Sequence, residues 1–479
     1  MTRWLFLAHR YVGIAMCLLM VAWCASGVVM LYVSYPSLSQ AQRLQYLQPL
    51  DWSGCCTVAD TSLPDNLEIE HFAIEMAGTR TLLRLKPLGG KESVIDLRDG
   101  RLLARWSASD AAQVAATFGR MAGCSCAARL QGVVDHDQWT VTGGFNSARP
   151  LYLFSLDDTA RTQLYVSSTD GKVVQVTTGY QRFWNWLGAI PHWLYFASLR
   201  HNPWLWTQVV IWTSVAGTFL TLIGLYIGVR QWIRAPGERW SPYKGVAFWH
   251  HIPGLIFGLF LLTWVASGLL SMNPWGLLDS GSGRPITELL HGEPFTGAQV
   301  KELLQNLRKT ELLPDAVSVE SVPLMGKLYV AATSQRGMRW RFDAQARPAR
   351  LVDADWTNIT RRLGGDTSRG PKFLTEGDAY YFERNDRDAL LPVYRVIAGD
   401  AEETRYYLDP ITGSLIATFD SNARWCRWLH QGVHTLDFSA ILRRRPHWDV
   451  LMIVLLFGAG AISVTGVILS VRRIRRGIA

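Results

Sequence analysis

His9-Arg-Tyr-Val-Gly13 and Trp23-Cys-Ala-Ser-Gly27, near the start of the chain, return as His250-His-Ile-Pro-Gly254 and Trp264-Val-Ala-Ser-Gly268, 241 positions later. Trp186, His192, Phe196, Gly224 and Arg230 return as Trp428, His434, Phe438, Gly466 and Arg472, and Tyr165 and Gly171 as Tyr407 and Gly413, all 242 positions on. Matches held at offsets of 241 and 242 over so much chain do not arise by chance, and such self-similarity marks a repeated architecture. The sequence therefore reads as two tandem copies of one unit, related by an axis along the membrane normal.

Each copy begins and ends in a long apolar run. Residues 5–33, 205–229, 246–272 and 450–471 are each long enough for a hydrocarbon core of roughly 30 Å, which needs about 20 helical residues. The composition agrees: of 479 residues, 49% are hydrophobic and 18% charged, and 21 are Trp, a residue enriched at the lipid–water boundary. The first run carries Arg3 before it and Cys24 late in it, as a lipoprotein signal would. Trp23 spoils the small-residue cleavage site, and the run is too long for a signal peptide, so it reads as an uncleaved anchor. The formal net charge of +9 raises nucleic acid as a partner. The basic residues lie beside the apolar runs and no Gly-rich phosphate loop accompanies them, so topology explains the charge and nucleic acid does not.

Arg3 and Arg10, then Arg230, Arg234, Arg239 and Lys244, then Arg472, Arg473, Arg475 and Arg476 all fall on one side if both termini are cytoplasmic. Arg443 to Arg445 are the contrary cluster. The expected order is a first transmembrane helix (1–34), a first periplasmic domain (35–200), a second helix (201–230) and a basic cytoplasmic loop (231–245). A third helix (246–272), a second periplasmic domain (273–446) and a fourth helix with a basic tail (447–479) follow, in a bacterial inner membrane. The outside segments alternate short β-type runs with turns, as in Thr81-Leu-Leu-Arg-Leu-Lys, Gln163-Leu-Tyr-Val before Asp170-Gly171, and Arg405-Tyr-Tyr-Leu before Thr412-Gly413. Residues 111–121 and 298–307 read as helices packed on such sheets. The fold class is thus an α-helical integral membrane protein of four spans, with an α+β outside domain in each half.

Eleven histidines are present, and four form two repeat-matched pairs. His9 and His250 lie near the inner ends of spans one and three; His192 and His434 lie just outside spans two and four. An ionisable residue at a membrane is costly and suggests a functional site, and neutral imidazole is a common axial ligand of haem iron. A single interfacial histidine is usually a polar anchor; two matched pairs weigh against that. Each pair would clamp one haem b, giving two per chain, whereas two ligands per site are too few for structural zinc. His251 and His430 adjoin the pairs and compete as ligands, although their counterparts are Arg10 and Gly188. His201 and His447 read as interface anchors, and His71, His136 and His291 as ordinary domain residues.

Trp428-Leu-His-Gln-Gly-Val-His-Thr-Leu-Asp-Phe438, Trp184-Asn-Trp-Leu-Gly-Ala-Ile-Pro-His-Trp-Leu-Tyr195 and Trp249-His-His-Ile-Pro-Gly-Leu-Ile-Phe-Gly-Leu-Phe260 resemble the PepSY-associated transmembrane-helix family, and Asp409-Pro-Ile-Thr-Gly-Ser-Leu415 resembles the turn of a PepSY domain. The resemblance spans essentially the whole chain; Ser168-Thr-Asp-Gly171 is a looser version of that turn. It implies two PepSY-like periplasmic domains and, from one branch of the family, a haem-containing reductase that releases iron from ferric siderophores. A membrane-anchored binding or regulatory protein, with a protease or transporter as partner, and a haem carrier or sensor are the alternatives.

Cys55-Cys56 and Cys124-Ser-Cys126 lie in the first outside segment, where the compartment is oxidising; a disulfide between the two groups is one arrangement, the sequence leaves the pairing open, and a redox-active Cys-Ser-Cys is the less favoured alternative to a structural bridge. Cys17 and Cys24 read as packing residues. No Gly-x-Ser-x-Gly, His-Glu-x-x-His or dinucleotide-binding motif appears. Any electron donor must therefore be a quinol or a cytoplasmic reductase, docking near the basic loop.

Overall fold

A computed structural model describes residues 2–235, 240–281, 284–309, 315–383, 389–439, 442 and 444–478. Arg239 of the basic loop and Arg443 of the contrary cluster lie outside the described residues. The chain divides into two compact units: residues 1–35, 180–279 and 422–479, and residues 36–179 and 280–421.

The first unit holds four helices long and apolar enough to cross a membrane: Thr2–Met30, Pro203–Ile233, Val246–Ser271 and His447–Ile478. Their outer faces carry large apolar side chains in the open, with Leu18 71% and Phe457 70% exposed. Such a surface is tolerable in lipid and a liability in water. Inside, small residues let the helices close up. A Cβ on Gly217 would stand 2.9 Å from Val265, and one on Gly258 2.8 Å from Leu225. Met16, Met20, Leu220, Leu261, Trp264, Leu456 and Ala459 form the core between the helices. The first helix stops at Met30, short of residue 33, and the chain leaves it towards Pro36. The fourth runs past residue 471 because its arginines extend beyond the apolar stretch without breaking the helix.

The second unit is α+β, and its main sheet draws on both halves of the chain. Its strand path is Arg339–Asp343, Tyr329–Ser334, Ala316–Ser321, Glu68–Ala77, Arg80–Pro87, Ser93–Asp96 and Arg101–Leu102. The central pair is antiparallel, with Ala73 opposite Glu320, Ile74 opposite Val319 and Glu75 opposite Ser318. Two four-stranded antiparallel sheets accompany it, over 128–177 and 369–419, each with its strands in sequential order. This differs from one domain per half, because residues 68–77 and 316–321 each complete the other's sheet. The boundaries differ too: residues 180–200 and 422–446 belong with the long helices.

Helices Ala108–Met121, Gly297–Lys309 and Asp353–Gly364 cover these sheets with Phe118, Leu303 and Trp356 among their buried residues. Ser107 caps the first of them, accepting from the Asp110 amide. The Asp170-Gly171 turn needs glycine twice over: φ is +68°, and a Cβ would run into the Trp106 ring. A bridge between the two cysteine groups does not form; the bonds are Cys55–Cys56 and Cys124–Cys126. The groups belong to separate cores, Cys55 packing with Leu63 and Ile69, and Cys126 against Trp106 and Phe154.

Candidate functional site

His9 stands on the first long helix and His250 on the third, and their ring centroids are 6.4 Å apart with planes at 50°. His9 Nδ1 is 3.2 Å from the Leu220 carbonyl; His250 Nδ1 is 3.1 Å from the Ile462 carbonyl and 3.1 Å from Thr465 Oγ1. Leu220 and Ile462 are themselves 242 positions apart. The His9 ring lies so close to the second long helix that a Cβ on Gly224 would stand 2.7 Å from its Cε1.

His192 and His434 come from two short helical segments, Ala189–Trp193 and Val433–Thr435. Their centroids are 6.2 Å apart with planes at 78°. Their positions in the chain, before the second and fourth long helices, suggest an edge location. The structure instead tucks them against the first and third: His192 Nδ1 is 3.0 Å from Ser26 Oγ and 3.2 Å from the Trp23 carbonyl, and His434 Nδ1 is 2.9 Å from Ser267 Oγ. Both segments end on a left-handed leucine, Leu194 at φ 53° and Leu436 at φ 54°. A branched side chain seldom adopts that conformation, and surrounding structure must hold it there. The holding contacts include two indoles, since Trp206 Nε1 donates to the Trp193 carbonyl (2.9 Å) and Trp448 Nε1 to the Thr435 carbonyl (2.7 Å).

Carbonyl oxygens only accept, so Nδ1 of His9 and His250 must carry the proton. Ser26 and Ser267 donate their hydroxyl protons to the Trp23 and Trp264 carbonyls (3.1 and 3.0 Å), so they too accept from the imidazoles. All four rings are thereby fixed as the Nδ1–H tautomer, with the Nε2 lone pair available, the orientation that metal-bound histidines adopt. Two imidazoles on one iron, at ~2.0 Å from each Nε2 and about 1.1 Å further to each ring centre, would set the centroids roughly 6.2 Å apart. The observed centroid separations, 6.4 and 6.2 Å, are of that size. The buried indole N–H of Trp264 has no hydrogen-bond partner among the described residues. Among the described residues there is no group of three or more His, Cys, Asp or Glu that could hold a metal ion.

The two competing histidines are placed differently. His251 is buried, with Nδ1 2.8 Å from Ser241 Oγ and Nε2 2.9 Å from the Gly228 carbonyl, so both nitrogens are occupied within the protein. His430 lies on a π-helical turn, Arg427–Gly432, a wide coil frequent at functional sites. Its ring is 5.5 Å from His434, and its Nδ1 is 3.1 Å from the Ser267 carbonyl. The turn is held by Arg427, 1% exposed, which donates to the Asp437 carbonyl (2.8 Å) and pairs with its carboxylate (3.3 Å). Sequence reasoning gave Ser26 and Ser267 no role beyond the repeat and missed Trp206 and Trp448 as clasps; their appearance at matched offsets is the signal that could have found both.

No protein-family model matches the chain, and no curated protein matches it in sequence.

Proposed function

We propose that the chain is an inner-membrane, b-type dihaem protein, built of two tandem copies and kindred to the PepSY-associated transmembrane family. It passes electrons across the bilayer to periplasmic ferric iron, foremost ferric-siderophore complexes. The observation that carries this reading is the doubled imidazole pair, with matched spacing, matched tautomer and matched partners. His9 and His250 would hold one haem on the cytoplasmic side, and His192 and His434 one on the periplasmic side. When bound, the two haems supply one-electron couples tuned by their ligands.

The remaining work is done by the chain. The Leu220 and Ile462 carbonyls and the Ser26 and Ser267 hydroxyls orient the rings, and the apolar core excludes water. Depth also favours a relay. Counting from His9 to Met30, where the first helix ends, gives ~32 Å at 1.5 Å per residue, whereas counting only to Trp23 and Ser26, which touch His192, gives ~21–26 Å. A ferric chelate reduced at the outer face loses its iron because hard oxygen donors hold Fe(II) less tightly than Fe(III). Electrons enter from a quinol or a cytoplasmic reductase at the basic loop, 231–245.

The test is an absorption spectrum of detergent-purified protein, oxidised and dithionite-reduced, with haem counted per chain. We expect sharp reduced bands and about two haems, one lost in His9→Ala and the other in His192→Ala, with ferric-siderophore turnover abolished in either. Protein expressed with ample haem that shows no Soret band overturns the reading and leaves a membrane-anchored binding protein. Bound haem without ferric turnover leaves a carrier or sensor.

A further inference from the structure

A helix on the surface of a water-soluble domain buries its apolar side chains and shows its polar ones. In the second unit Gly297–Lys309 does so, with Val300, Leu303 and Leu307 buried and Glu302 and Gln305 exposed. The helix Gly179–Leu187, which belongs to the first unit from Tyr180 onward, is inside out. Its exposed residues are Tyr180, Phe183, Trp186 and Leu187, while Asn185 is 0% exposed and donates its amide hydrogens to the Ser34 and Gln181 carbonyls. The second half repeats the pattern 242 positions on. Phe183, Leu187 and Phe196 return as Trp425, Leu429 and Phe438, and all six are exposed. Asn185 returns as Arg427, which is buried and paired with Asp437.

Both segments run alongside the long helices and not beyond them. About 20 residues of hydrocarbon core, counted from Arg10, the last charged residue of the first long helix, reach Met30. Within that stretch Val29 lies against Gly188, where a Cβ would stand 2.9 Å from it, and Trp23 and Ser26 lie against His192. The chain thus descends from the level of Ser34 at Asn185 to that of Trp23 at His192, then turns back to enter the second long helix at Pro203. In the other half His430 and His434 meet Ser267, short of the end of the third long helix at Ser271. Non-helical backbone is tolerated at such depth only where protein covers it. Gly188, at φ −102° and ψ −106°, interrupts the first segment and is buried together with Ala189 and Ile190. Gly432, at the end of the π-helical turn in the second, is buried too.

We infer that residues 180–196 and 422–438 are re-entrant: they dip into the leaflet on the His192–His434 side, where Phe183, Leu187 and Phe196, with Trp425, Leu429 and Phe438, face lipid. The bilayer is the occupant that fits these faces. Two repeat-matched faces would need two copies of a protein partner, whereas lipid surrounds both, and aromatic rings favour the boundary between headgroups and acyl chains. A medium without water also demands that polar groups be satisfied within the protein, as the Asn185 amide and the Arg427–Asp437 pair are. The chain then holds four spans and two re-entrant segments, with lipid sealing the flanks of the segments that carry His192 and His434. The inference rests on the membrane reading of the long helices and needs no haem.

The test is EPR accessibility of nitroxide labels on the full-length protein in nanodiscs of phosphatidylethanolamine and phosphatidylglycerol. Labels go one at a time on Phe183→Cys, Leu187→Cys, Trp425→Cys and Leu429→Cys, in a Cys17→Ser/Cys24→Ser/Cys426→Ser background. Each is challenged with oxygen, which partitions into lipid, and with a water-soluble nickel(II) chelate. Leu18→Cys, on the outward face of the first long helix, and Gln305→Cys, on a water-facing helix, give the two references. The four labels should show an oxygen-to-nickel accessibility ratio several-fold above that of Gln305→Cys and near that of Leu18→Cys. Ratios at the Gln305→Cys level overturn the inference, and so do labels shielded from both reagents, which would put protein on these faces. A label at Leu18→Cys that itself reads as aqueous overturns the membrane reading, and the inference with it. If the serine background fails to fold, p-benzoylphenylalanine placed at Leu187 in the chain with its native cysteines decides. Irradiation should then give a phospholipid adduct by mass, and a cross-link to a second copy overturns the inference.

Discussion

Gly224 and Gly466 occupy matched positions yet face different amounts of room. A Cβ at Gly224 would lie 2.7 Å from His9 Cε1, inside contact distance, while one at Gly466 would lie an ordinary 3.5 Å from His250 Cε1. Gly224→Ala should therefore push the His9 ring off its partner and cut haem content from about two to about one per chain. Gly466→Ala should leave the count unchanged; pyridine haemochrome assays on the two variants check the pair. At this scale the sequence singled out, through offsets of 241 and 242, the two pairs of histidines that the structure brings together. It could not separate His250 from His251, because neighbours on a helix differ by only ~100° of rotation and nothing local says which side faces the partner. Only the contacts of His251 with Ser241 and Gly228 do that.

Among the elements, the long helices were legible because twenty apolar residues in a row are themselves the signal. The short segments that carry His192 and His434 were not. Ala189–Trp193 is five residues long and Val433–Thr435 three, too short to have a period, and the π-helical turn before His434 has no mark in composition. They are held from outside, which is testable. Trp206→Phe keeps the ring but deletes the donor to the Trp193 carbonyl, costing ~1 kcal/mol locally. Amide hydrogen exchange over residues 189–195 should quicken several-fold, with the long helices unaffected. Equal protection in the variant would mean that packing alone holds the segment.

For the molecule as a whole, the second unit shows what periodic reading leaves out. Alternation identified its strands, but not that Glu68–Ala77 would pair with Ala316–Ser321, since pairing between segments so far apart has no local signature. Nor did it reveal the ion network beside that seam. Arg43 grips Glu75 through two bonds, at 2.9 and 2.6 Å, and Arg84 bridges Glu75 and Asp170. Burial opposes ionisation of Glu75, but Arg43 and Arg84 outweigh it and the carboxyl titrates at about 2. Asp170 is likewise buried, and Arg84 and Lys172 bring it to about 2. Both folded values lie below the unfolded range of roughly 4, so the stabilisation is complete above that range and is lost as pH falls from there through 2. The melting temperature should accordingly drop between about pH 4 and 2. Glu75→Ala, which leaves the buried Arg43 guanidinium without the carboxylate it grips and Arg84 with Asp170 alone, should cost about 3–5 kcal/mol at neutral pH; thermal melts across pH check both.

The seam between residues 68–77 and 316–321 also sets a timetable. A ribosome finishes the first strand some 240 residues before it makes the second, so the early strand must wait with a bare edge, and unpaired edges recruit other strands. Biogenesis of this protein thus contains an obligatory pause during which its N-terminal half is adhesive. A chain truncated after residue 245 should aggregate or be degraded, and co-expressing the missing half, which brings the complementary strand, should rescue it.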